Sequence, residues 1–271
     1  MQILKSSKCF DGEVRFYEHD SLTTKAKMRF SVFLPLQATP PASCMIWLSG
    51  LTCTEENFML KAGAQKYLAD KNIMLICPDT SPRGLNLPHE HEEDDFGSGA
   101  GFYLSATTPA YRDHYDMYNY INHELYDLII DKFMRSTAPK ISICGHSMGG
   151  HGALVIGLKN PDKYYKISAF SPIVNPSQCP WGQKAFTGYL GNDIEEWKKW
   201  DATELIKSGC QHPRQIVIEQ GTADPFFEKQ LLTANFAEAC KDYEQNLQVN
   251  YHAGYDHSYW FIASFIGQHI W

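Results

Sequence analysis

Short apolar runs separated by stretches of helical spacing are the feature that most constrains this chain. "CMIWLSG" (44–50), "NIMLICPD" (72–79), "KISICGHS" (140–147), "YYKISAFSP" (164–172), "RQIVIEQG" (214–221) and "LQVNYHAG" (247–254) are compact and mostly apolar. Strands buried on both faces of a parallel sheet have this composition. "KMRFSVFLPL" (27–36) instead alternates and ends in proline, which suits an outer antiparallel strand. Between the runs lie amphipathic segments: "ENFMLKAGAQKYLAD" (56–70), for which Thr52 and Glu55 offer a capping box, 115–134, 228–243 and the terminal 258–271. Such alternation predicts an α/β fold, a mostly parallel central sheet with helices on both faces. No repeat or linker divides 1–271, so one domain is expected. Two stretches break the rhythm, 80–114 and 173–213. Both are expected to cross the carboxyl edge of the sheet, where open α/β sheets bind ligands.

Composition narrows the function classes. The 24 Lys and Arg against 31 Asp and Glu leave a formal charge of −7, with no basic run. Nucleic-acid binding, which needs cationic neutralisation of phosphates, is not expected, nor is attraction to anionic membranes. The start "MQILKSSKCF" has no apolar stretch of signal-peptide length, and no segment reaches the length of a membrane span. Eight cysteines lie scattered without CxxC pairs, which reads as free thiols in a reducing cytoplasm.

"GHSMG" (145–149) fits G-x-S-x-G, led in by the apolar "ISIC" and out by the helix-like "GGHGALVIGLKN". This is the strand–turn–helix elbow that exposes a serine nucleophile, here Ser147. The flanking histidines are not its expected base. His146 should point away from Ser147 and pack into the sheet. His151 falls in the first helical turn, where the helix dipole disfavours an imidazolium. In this architecture acid and base follow later in the order Ser…Asp…His. Asp224 comes directly after the buried run "RQIVIEQG", and His257 sits in "AGYDHSYWFI" after the last one. Asp256 is a rival acid, and His212, His252 and His269 are less well placed bases. The oxyanion needs hydrogen-bond donors: the backbone N–H of Met148, after the nucleophile, and that of Leu51 in "SGLTC", where Gly50 lets the backbone approach.

Other stretches carry competing readings. "HEHEEDD" (89–95) could ligate a metal, but crowded acids read first as a solvated loop, and this chemistry needs no metal or other cofactor. "GSGAG" (97–101) echoes a dinucleotide loop yet follows no strand. Cys53 lies near the oxyanion loop, as a redox-sensitive or simply packed thiol. Trp181 is a candidate pocket wall.

Taken together, "WLSGLTCTEENF", "DFGSGAGFY", "GHSMGGHGAL", "CPWGQKAFTGYLG" and "GYDHSYWFIA" resemble the S-formylglutathione hydrolase (esterase D) family of α/β hydrolases over nearly the whole chain. The resemblance implies outer N-terminal antiparallel strands on the sheet. It implies cleavage of S-formylglutathione to formate and glutathione in formaldehyde detoxification, with side activity on short esters. It also implies no cofactor, a cytoplasmic location and a homodimer. The family's nucleophile, acid and base fall on Ser147, Asp224 and His257, and its oxyanion donors on Leu51 and Met148. A general short-chain carboxylesterase and an acyltransferase on the same fold are the alternatives. The stretch 85–92, "LNLPHEHE", departs from the family's forms.

Overall fold

The computed structural model describes residues 1–37, 39–134 and 138–271. Nine strands form one sheet: β1 (Gln2–Cys9), β2 (Gly12–Asp20), β3 (Lys27–Pro35), β4 (Ser43–Leu48), β5 (Ile73–Pro78), β6 (Lys140–His146), β7 (Lys166–Phe170), β8 (Ile216–Gly221) and β9 (Leu247–His252), in the order β1-β2-β3-β5-β4-β6-β7-β8-β9. From β5 to β9 every pairing is parallel, and β1, β2 and β3 join antiparallel. The outer antiparallel strands are therefore present, two of them ahead of the run at 27–36. The six apolar runs all become strands, each shorter than its run.

Residue alternation sorts the side chains into two cores, as a pleated strand dictates. Along β4, Cys44, Ile46 and Leu48 enter one core with the helix Met148–Lys159 and the helical stretch 117–133. Met45 and Trp47 enter the other with the helices Glu55–Lys61, Gln65–Lys71 and Tyr259–Phe265. Burial on both faces explains why β4 is apolar from Cys44 to Leu48 and β6 is apolar at Ile141, Ile143 and Cys144.

The expected helix 56–70 is two helices. Glu55–Lys61 ends ahead of Gly63, whose φ of +66° turns the chain, and Gln65–Lys71 follows. The capping box sits two residues later than expected. Thr54 Oγ1 accepts the Glu56 N–H, and Asn57 Oδ1 accepts the Thr54 N–H. Thr52 instead has φ +66°, a conformation set by its place in the functional loop below. Within 117–133, Tyr120–Leu125 is π-helical and buries Asn122, whose amide donates to Asn160 and whose oxygen accepts from Tyr164.

The two excursions lock to each other. Tyr189 Oη, on the helix Pro180–Leu190, accepts the Gly97 N–H and donates to the Ala100 carbonyl, both at 2.9 Å. Its ring stacks on Phe96 and Tyr115. Together they roof the carboxyl ends of the parallel strands. Among the described residues no helix is long and apolar enough to cross a membrane.

Candidate active site

Strand order gathers the candidate residues in two pairs at one edge of the sheet. β4 and β6 are neighbours, so the turn holding Leu51 and the turn holding Ser147 lie side by side; β8 and β9 are neighbours, so the loops holding Asp224 and His257 do too. Ser147 has φ +58° and ψ −119°, a strained conformation for a residue with a side chain. Packing enforces it. A Cβ on Gly149 would stand 2.0 Å from the Leu48 carbonyl oxygen, and one on Gly145 2.2 Å from that of Gly149. The Ser147 carbonyl is also fastened, accepting the N–H groups of His151 and Ile173.

The loop after β4 is braced so that one amide stays free. The Thr52 N–H donates to the Gly99 carbonyl at 2.9 Å, and the Cys53 N–H to Gly50 at 3.3 Å. The Cys53 carbonyl accepts from Thr80 Oγ1 and Arg83 Nη2, with Arg83 itself paired to buried Asp79. Tyr103 Oη holds the Ser49 carbonyl. Among the described residues, neither the Leu51 nor the Met148 N–H has an acceptor. Met148 begins a twelve-residue helix, so the positive end of its dipole faces the same place. "GSGAG", which in sequence resembled a nucleotide loop, is thus the brace of the loop after β4.

His257 Nδ1–H donates to Asp224 Oδ2 at 2.5 Å, and Asp224 Oδ1 accepts the Phe226 N–H at 2.9 Å. The carboxylate is wholly buried. With Nδ1 engaged, Nε2 keeps its lone pair. The rival Asp256 is turned elsewhere: its Oδ1 accepts the Ser258 N–H at the start of the last helix. His252 and His269 both donate to buried Glu219, and His212 joins the backbone of Tyr164 and Arg214. A cavity of about 660 Å³ is lined by Gly50, Leu51, Ser147 and His257. Trp181 and Phe226, 4.6 Å apart, form its aromatic wall, and Phe226 meets the His257 ring edge-on at 5.0 Å. Cys53 lines it as well, and burial pushes its thiol up, away from the reactive thiolate.

Comparison with known proteins gives the family. The Esterase family model matches residues 21–271. The S-formylglutathione hydrolase of Bos taurus is 48% identical over 269 residues, 98% of this chain and 95% of that one. That of Arabidopsis thaliana is 49% identical over 267 residues, 98% and 94% of the two chains. The solved structure of an S-formylglutathione hydrolase from Agrobacterium tumefaciens superposes with a TM-score of 0.95 at 42% identity, covering 99% of this chain and 97% of that one. The chain belongs to the S-formylglutathione hydrolases of the esterase family. It has their α/β-hydrolase fold and is a serine hydrolase by kinship. The stretch that departs from the family's forms, 85–92, is anchored through buried Glu90, which accepts from Tyr115 Oη and the Leu87 N–H.

Several cavity residues were not legible in the sequence. Glu93, Asp94 and Asp95 reach the cavity from the acidic loop, and Lys184 pairs with Glu93 and Asp95. Tyr259 lines it from the terminal helix. His146 does not simply pack into the sheet: it lines the cavity, with its ring centroid 4.3 Å from that of His257. The positive φ of Ser147 brings its side chain to the same cavity as that of His146, the last residue of β6, which a reading of adjacent side chains as opposed does not anticipate. His151 is a core residue, its Nε2–H donating to the Phe102 carbonyl at 3.0 Å.

Burial holds the His146 imidazole well below its ordinary value and lowers that of His151 to about 4. Both rings stay neutral in the fold, whereas in the unfolded chain each takes up a proton near ~6.5. Below that pH the unfolded state binds more protons, so stability is full above it and is lost as pH falls. For His151 the window runs from ~6.5 down to about 4, at roughly 1.4 kcal/mol per pH unit. Urea unfolding at pH 8, 6 and 5 should show this decline, and His151→Leu should flatten it by one proton's worth. An unchanged slope would mean that His151 is protonated in the fold.

Proposed function

We propose that this chain hydrolyses S-formylglutathione to formate and glutathione through a formyl-enzyme on Ser147. The observation that carries the reading is the 2.5 Å bond to buried Asp224 from His257, which lines the same cavity as Ser147. Near-full-length identity of 48–49% to S-formylglutathione hydrolases names the substrate. His257 Nε2 takes the Ser147 proton as the hydroxyl oxygen attacks the formyl carbon, and Asp224 steadies the imidazolium. The Leu51 and Met148 amides receive the oxyanion. Collapse of the tetrahedral adduct breaks the C–S bond, and glutathione departs as a thiolate, a good leaving group given a thiol pKa near ~8.5. The imidazolium returns its proton to that sulfur. Water, deprotonated by His257, then attacks the formyl-serine, and the same proton restores Ser147 as formate leaves.

The place of the reaction is formaldehyde detoxification. Eight free cysteines support a reducing, cytoplasmic setting. The homodimer implied by the family resemblance would cover apolar surface such as Trp260, 83% exposed.

Side-by-side kinetics test the substrate. We expect kcat/KM for S-formylglutathione to exceed that for p-nitrophenyl acetate by about 10²-fold or more, the surplus coming from contacts with the glutathionyl group. Rates on p-nitrophenyl esters should fall beyond acyl chains of a few carbons. Equal kcat/KM on both substrates would instead make it a general carboxylesterase, and product transferred to another acceptor would make it an acyltransferase.

A further inference from the structure

His146 has no step in the reaction written above, yet it packs against the ring of the base. The two rings lie 4.3 Å apart, centroid to centroid, with their planes at 44°. His146 is 6% exposed, and its buried Nε2 has no hydrogen-bond partner among the described residues. Packing against the rings of His257 and Tyr259 holds it in place. On its other side stands the loop after β4, where a Cβ added to Gly50 would be 3.4 Å from His146 Nδ1 and 3.2 Å from Ser147 Cβ. A five-membered ring thus fills the gap between that loop and the base.

Asp224 fixes one atom of the His257 ring, and a single hydrogen bond leaves the ring free to librate about it. Proton transfer to Nε2 needs a defined ring plane. Phe226 touches the ring edge-on at 5.0 Å, and His146 supplies a second contact. We propose that His146 is a positioning residue for the base, an uncharged wall that holds the His257 ring in its reactive orientation and keeps water off it. The proposal rests on the reading of Ser147 and His257 given above. Burial keeps His146 uncharged through the working pH range, so it neither repels the imidazolium nor competes for the proton.

The test is a pH profile of kcat/KM for the parent, His146→Ala, His146→Asn and His146→Phe, each checked for folding by circular dichroism. The charged groups around His257 are Asp224, its chain neighbour Asp256, whose carboxylate is turned to the Ser258 N–H, and, lining the cavity, Glu93, Asp94 and Asp95. All are left in place, so a moved profile reports on the wall. His146→Ala and His146→Asn admit water that solvates the imidazolium. We expect kcat to fall about 10-fold with KM unchanged and the acid limb to move to higher pH by roughly half a unit or more. His146→Phe, which rebuilds the wall without nitrogens, should return the limb towards the parent's position and recover most of kcat. A folded His146→Ala with the parent's limb and kcat overturns the proposal, as does a folded His146→Phe as impaired as the alanine variant. Labelling by a serine-reactive fluorophosphonate, which also needs the proton removed, should slow in parallel. If Ser147→Ala or His257→Ala retained turnover, the reading of the site itself would fail, whatever His146 did.

Discussion

A Ser147→Ala protein is expected to fold as the parent does and to lose turnover by about 10⁵-fold or more. The variant keeps the backbone strain, because alanine at φ +58° fares no better than serine, and Gly145, Gly149 and the fastened 147 carbonyl still impose the turn. What disappears is the oxygen proposed to form the acyl-enzyme. No other group in the cavity replaces it. The Cys53 thiol is held protonated by burial. Ser258 lines the cavity, but its hydroxyl accepts the Trp260 N–H and caps the last helix. The remaining rate would come from the free amides and from binding, worth about a thousandfold over water in comparable sites. Steady-state kinetics with S-formylglutathione measures the loss, and loss of fluorophosphonate labelling shows that the missing oxygen is the reacting one. Turnover within tenfold of the parent would move the nucleophile to another residue.

What could be read from the sequence is what covalent spacing determines. Gly145, Ser147 and Gly149 lie within five residues of one another, and an apolar lead-in and a helical lead-out suffice to imply an elbow. Chain order singled out Asp224 and His257, because parallel strands put every following loop on one edge. The structure joins those two side chains and turns Asp256 away. Features set by tertiary contact were not readable. The capping box moved from Thr52 to Thr54 because the Thr52 N–H is drawn to Gly99, 47 residues on in the chain. The exposed strand β1 has no apolar face to announce it; its pairing with β2 alone defines it. "GSGAG" looked like a failed nucleotide loop, since nothing local says that Gly99 supports another loop's backbone. The contact of His146 with His257 joins residues 111 apart, and no periodicity encodes it.

Asp224→Asn should lower kcat by about 10⁴-fold with little change in KM, while Asp256→Asn stays within a few-fold of the parent. Both oxygens of Asp224 are committed, Oδ2 to His257 Nδ1–H and Oδ1 to the Phe226 N–H. An asparagine in this buried slot keeps the Phe226 bond by leaving its oxygen there, so its NH₂ faces the imidazole. Two donors cannot share that contact. The ring answers by carrying its proton on Nε2 and offering a bare Nδ1 to the amide, which leaves Nε2 without a lone pair for the Ser147 proton. The protein stays folded and binds substrate, but its base has the wrong tautomer. Asp256 can lose its charge cheaply, because its work is to accept the Ser258 N–H at a helix start, and asparagine serves there as well. Measuring kcat and KM for both variants at pH 6 to 9 decides the assignment. If Asp256→Asn were the crippled protein and Asp224→Asn active, the carboxylate hydrogen-bonded to His257 in the fold would not be the one that supports its imidazolium during catalysis.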